Sequence, residues 1–357
     1  MFKNKLSLNG VGILFFFVVL LILFFDYLFL SNYRDSSYGG YFILFSESDP
    51  TVKNLFFWMR SMVIAFVSWC LIRSIFHSLK NDELFKNGNV DDKSPISGVS
   101  FEIVFWQIAV YFSLTFIVLY IFSQQAVFWL SRETRILEST SAIFMFSASF
   151  LFFKKIYKDW KNTSLIGILF VGGLAMLTGF AGGEELSWFQ RIFLFDTPEW
   201  FSASGTFQRE TNIHNLASND AEVIFFFGAF LLFTILPLLK GVRSPRYFNE
   251  LKTYFPGIGV FILGVLTNAF NYDLWDTSLI QLTFFSGVIA TFYLLEKIGK
   301  VAYLCIVISI TVQSVILLVD RDTSLMPSRN PVTEYREFMT SACFLLYSIQ
   351  LYYYKSK

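Results

Sequence analysis

Apolar and polar positions along this chain fall in long blocks. They lack the 3.6-residue rhythm of a helix with one face in water. Ten apolar blocks stand out, at 11–31, 55–76, 102–123, 138–153, 164–182, 222–239, 257–272, 278–295, 301–319 and 337–353. Most are near the twenty residues with which an α-helix crosses roughly 30 Å of hydrocarbon. A membrane barrel would instead show segments of about ten residues with alternating polarity. The pattern predicts an all-α fold: a polytopic integral membrane protein of about ten transmembrane helices, forming a single transmembrane domain over 1–357. The first block follows Lys3 and Lys5. It is longer than a signal peptide's apolar region and no small-x-small cleavage site follows, so it reads as an uncleaved first helix.

Composition agrees. Charged residues make up 15% of the chain, against about 25% in soluble proteins. Mean hydropathy is +0.54. Cys70, Cys305 and Cys343 all lie inside apolar blocks with no CxxC among them, so neither a disulfide framework nor a zinc knuckle is indicated. No basic stripe interleaved with aromatics points to nucleic acid. The partner implied is the lipid bilayer.

Charge then gives a direction. With the N-terminus inside, the inner segments hold 18 basic and 8 acidic residues and the outer segments 9 and 18, leaving Asp26 and Arg60 within helices. Cytoplasmic loops are enriched in Lys and Arg. Both termini are therefore expected in the cytoplasm. Short loops without an appended soluble domain suggest a bacterial cytoplasmic (inner) membrane.

The longest outer loop, 183–221, concentrates the polar chemistry. It holds six of the 18 outer acids. Glycines at 179, 182 and 183 precede Glu184, Trp188 and Arg191, which share one face if the fifth helix continues. Thr197, Pro198 and Glu199 read as a helix start, with Trp200 and Phe201 suited to a short interfacial helix. Beyond Gly205, Glu210 and His214 are spaced i, i+4. The segment thus reads as an extracytoplasmic, re-entrant or interfacial polar element between helices five and six.

Its residue types suit proton transfer at a head group. Glu184 or Glu185 is the candidate base, His214 its acid–base partner, and Arg191 the group for phosphate or oxyanion charge, with Glu210 beside them. Trp188, Asn212 and Asn215, with Asp273 from the end of helix seven, are candidate substrate-binding residues. Glu184 or Glu185 with Glu210 and His214 would also make a metal set, but no HExxH or paired-His spacing accompanies it, so the cofactor stays open. Asp26 and Arg60 lie at similar depth in consecutive helices and are expected to pair. Gln313 is expected to make an interhelical hydrogen bond.

These features favour a membrane-embedded hydrolase or transferase acting on a lipid or lipid-linked head group. A transporter of a small polar or cationic solute, built as two inverted five-helix repeats, is the alternative, as is a non-catalytic assembly subunit. The chain has no serine elbow, P-loop or dinucleotide fingerprint.

Overall fold

The computed structural model describes residues 13, 16–18, 20, 50–78, 98–131, 136–193, 196–197, 218–242, 246–271, 277–320 and 330–353. Among these the principal elements are α1 (Pro50–Ser78), α2 (Gly98–Phe122), α3 (Gln124–Ser131), α4 (Ile136–Asp159), α5 (Leu165–Glu185), α6 (Ser218–Phe230), α7 (Ile258–Asn268), α8 (Ser278–Tyr293), α9 (Lys300–Asp320) and α10 (Asn330–Tyr353). Four described helices are long and apolar enough to cross a membrane: Trp58–Ser78, Ile136–Asn162, Leu165–Glu185 and Ala221–Leu239. The described residues form no strand element. The architecture is that of a helical membrane protein.

Side-chain contacts set the helix directions. Phe144 and Phe152 of α4 meet Phe338 and Tyr347 of α10, both pairs with ring centroids 5.6 Å apart, so α4 and α10 run parallel. The Ser149 hydroxyl donates to the Ala175 carbonyl of α5 at 2.7 Å, while Gly182 lies against Met145 and Phe146; α4 and α5 are antiparallel. Phe225 and Glu222 of α6 face Phe344 and Arg336, parallel to α10. Thr267 meets Cys343, and the Gly257 N–H donates to the Gln350 side chain at 2.9 Å, so α7 opposes α10. Contacts of Phe112 with Phe338 and Phe116 with Tyr335 make α2 antiparallel to α10. Ile64 clusters with Leu279 and Leu282, and Phe76 stacks on Tyr293, so α1 and α8 are parallel.

The core gathers around α7. Residues Gly259 to Asn268 are all buried. At 11 residues the helix is only about 16 Å long, so neighbours on every side cover it. Close packing replaces the hydrophobic effect as the cohesive force between helices in lipid. Gly264 shows how: a Cβ there would lie 2.7 Å from the Phe233 Cβ. Phe233 belongs to a π-helical turn, Leu231–Ile235, that follows α6 and leads into the short helix Leu236–Leu239. Large apolar side chains such as Phe66, Tyr111, Phe150 and Met176 point outward from α1, α2, α4 and α5. They are the surface lipid would cover.

Three local features depart from the sequence pattern. α4 runs to Asp159, well past the short block at 138–153. Gln124–Ser131, expected as loop, is helical. Gln313 is buried, yet neither end of its amide has a hydrogen-bond partner among the described residues, contrary to the expected interhelical bond.

Candidate functional site

The helix directions place the ends of α2, α5 and α7 and the starts of α1, α4, α6, α8 and α10 together. Glu184, Glu222, Asn271 and Arg336 all belong to this end of the bundle.

Glu184 sits in the last turn of α5 and is 7% exposed. The helix ends at Glu185, and Leu186 caps it through a backbone N–H to the Glu184 carbonyl. The next three residues, Ser187, Trp188 and Phe189, have φ of 47°, 52° and 65°. L residues in that region cost about 1–2 kcal/mol each. The turn persists because its side chains are pinned. Trp188 packs edge-to-face on Phe180 at 5.2 Å, Phe189 stacks on Phe146 at 5.8 Å, and Ser187 is buried. The Trp188 ring folds back over Gly183, where a Cβ would meet it at 2.9 Å. Its indole N–H donates to the Glu184 Oε1 at 2.5 Å. Gly183 is thus required by the close approach of the indole.

This geometry corrects the continuous-helix reading. Glu184 and Trp188 do meet, through a left-handed turn. Arg191 lies in a separate short helix, Gln190–Phe193, so no single helical face carries all three. Glu185 is half-buried beside Glu184. The Gln190 amide donates to the Thr197 hydroxyl at 2.8 Å, tying the segment's exit to its start. Glu210, Asn212, His214, Asn215, Asp273 and the expected interfacial helix around Trp200 lie outside the described residues, as does the Arg191 side chain. Asp26 does too, so the expected Asp26–Arg60 pair is open. Arg60 itself is half-buried, about 15 Å along α1 from its start at Pro50 and close to the start of the apolar stretch Trp58–Ser78.

The sequence pattern missed Arg336. It reads there as a loop residue just before the last block, yet it lies inside α10 and is fully buried. Its guanidinium carbon lies 3.6 Å from the centroid of the Phe226 ring, and an Nη is 3.6 Å from a Glu222 carboxylate oxygen whose side chain is 24% exposed. Neighbouring Tyr335 donates its hydroxyl to the Phe112 carbonyl, against Phe116 and Phe270. The signal available was Glu222 at the start of the sixth block, a carboxylate without a visible partner in sequence. On the same end, the Asn271 amide donates to the Thr283 hydroxyl at 2.8 Å, and Asn268 reaches Thr234 at 3.5 Å. Among the described residues no three His, Cys, Asp or Glu side chains cluster as metal ligands.

The chain matches no known family, no curated protein and no solved structure.

Proposed function

We propose that the protein is a membrane-embedded hydrolase or transferase acting on a lipid or lipid-linked head group at the outer boundary of a bacterial cytoplasmic membrane, with both termini inside. Glu184 carries the reading. A carboxylate is 7% exposed at the end of a membrane-length helix and held by one indole N–H over a strained turn of Ser, Trp and Phe. Strain of this kind concentrates where a side chain must be aimed. Phe193 is 72% exposed, and Trp188 and Phe189 are each 37% exposed; they give the site an apolar flank on the side from which a lipid would enter.

In this reading Glu184 or Glu185 is the base and His214 its acid–base partner. Arg191 meets phosphate or oxyanion charge, with Glu210 beside it. Trp188, Asn212, Asn215 and Asp273 hold the head group, and Asp26 with Arg60 braces the first two helices. The test is untargeted. Purified protein is incubated with a bacterial polar-lipid extract, and head-group loss or transfer is followed by mass spectrometry. Glu184→Gln, whose amide oxygen can still accept from Trp188, is expected to lower turnover about 10²–10⁴-fold while membrane yield stays at or above that of Trp188→Phe. Equal lipid profiles for both proteins, or an activity loss no larger than the loss of yield, would sink the reading.

The buried Arg336, 3.6 Å from the partly exposed Glu222, favours transport of a small polar or cationic solute as the second reading, since ionisable residues inside helix bundles mark solute and ion paths. Solute flux in proteoliposomes, lost in Glu222→Gln and unaccompanied by lipid turnover, would select it.

A further inference from the structure

The end of the bundle opposite Glu184 carries a second arrangement of charge. Phe150, Lys154 and Lys158 follow one another at i, i+4, i+8 on α4, so they share a face. All three are exposed. Tyr352, from the last turn of α10, stands beside them. The Lys154 ammonium lies 5.1 Å from the centroid of its ring and the Lys158 ammonium 4.9 Å. Two cations therefore share one tyrosine and lie within about 10 Å of each other.

Like charges at i, i+4 destabilise a helix unless something neutralises them. The nearest carboxylate along the helix, Asp159, is taken by the buried Lys155 at 2.8 Å. Among the described residues neither Lys154 nor Lys158 has a carboxylate partner. The surroundings are those of a membrane boundary. Tyr157 and Trp160 are 87% and 60% exposed, the residue types that settle at head-group depth, and Phe150 and Phe153 continue an exposed apolar strip toward the bundle's middle.

We propose that Lys154, Lys158 and Tyr352 form a binding site for the phosphate of an anionic phospholipid. Its acyl chains lie along the Phe150–Phe153 face of α4. The apolar strip is what commits the site to a lipid over a free anion. The two lysines come from one helix and the tyrosine from another, so a bound lipid would also tie α4 to α10. The site is independent of the Glu184 chemistry, at the other end of the bundle.

Native mass spectrometry of the detergent-purified protein, titrated with phosphatidylglycerol, tests this. Each lysine near an anionic head group contributes about fivefold in affinity, so Lys154→Gln with Lys158→Gln should weaken retention about 30-fold. The Lys154→Arg, Lys158→Arg pair should keep it. Lys300→Gln, an exposed base on α9, should leave it unchanged; an equal loss there would mean diffuse charge attraction and overturn the site. So would retention of phosphatidylcholine as strong as that of phosphatidylglycerol. Inorganic phosphate that competes phosphatidylglycerol off at equal concentration would also overturn it, since the acyl chains would then contribute nothing. Because both lysines are exposed, the variants should fold, and a thermal midpoint in lipid-free detergent no lower than that of the unaltered protein checks this.

Discussion

At the scale of residues, one hydrogen bond organises the candidate site. The Trp188 indole N–H reaches Glu184 because the turn at 187–189 is left-handed and Gly183 leaves room for the ring. Trp188→Phe keeps a ring over Gly183 and removes the donor. Leaving a buried acceptor without its donor costs about 1–3 kcal/mol, so the variant should lose stability on that scale in detergent unfolding. Combined with Glu184→Gln, the loss should be less than additive. Strict additivity would mean that the two side chains do not act together. Part of this was visible in sequence: the Gly-Gly-Glu-Glu cluster at a block's end, and the i, i+4 spacing of Glu184 and Trp188. The left-handed turn was not, because Ser, Trp and Phe rarely adopt positive φ. Arg336 was hidden for a different reason. A charge at a block's edge looks like loop in a hydropathy pattern, and only the pairing of α6 with α10 reveals that it is enclosed by Phe226 and Glu222.

At the scale of elements, the blocks from 55–76 onward overlap described helices but misjudge where those helices end, while most of the first block, 11–31, lies outside the described residues. α10 begins at Asn330, about two turns before its apolar block, because Tyr335 and Arg336 find partners on α2 and α6. α4 continues to Asp159 because Lys155 buries its stem and pairs within the helix. Hydropathy also carries no trace of the π-helical turn at Leu231–Ile235. That turn brings Phe233 against the backbone of α7 at Gly264. Gly264→Ala should therefore be costly despite raising helix propensity. Its Cβ would stand 2.7 Å from the Phe233 Cβ, with the Phe233 carbonyl carbon and oxygen at 3.4 Å. A loss of about 1–3 kcal/mol, the range for overpacking, is expected in thermal unfolding. The paired change Gly264→Ala, Phe233→Ala should recover part of it in a double-mutant cycle. A neutral or stabilising Gly264→Ala would show that α6 and α7 separate more readily than this packing implies.

At the scale of the whole molecule, two chemically different ends face opposite ways. The directions set by packing place Glu184, Glu222, Asn271 and Arg336 at one end and Lys154, Lys158, Gly257 and Gln350 at the other. Block-by-block charge counting divides the chain in the same sense, with basic residues expected inside. The assignment of the lysine-bearing end to the cytoplasm rests on the tendency of Lys and Arg to stay inside. The orientation is open to direct measurement. Asp196 and Asn162 are both exposed, the first beyond the Glu184 turn and the second just after α4 at the lysine-bearing end. In a background with Cys70, Cys305 and Cys343 replaced by alanine, Asp196→Cys should react with an impermeant maleimide on intact cells. Asn162→Cys should react only after permeabilisation. Reaction at 162 and protection at 196 would reverse the orientation and move the Glu184 site to the cytoplasmic leaflet. Its lipid substrates would then be those of the inner face.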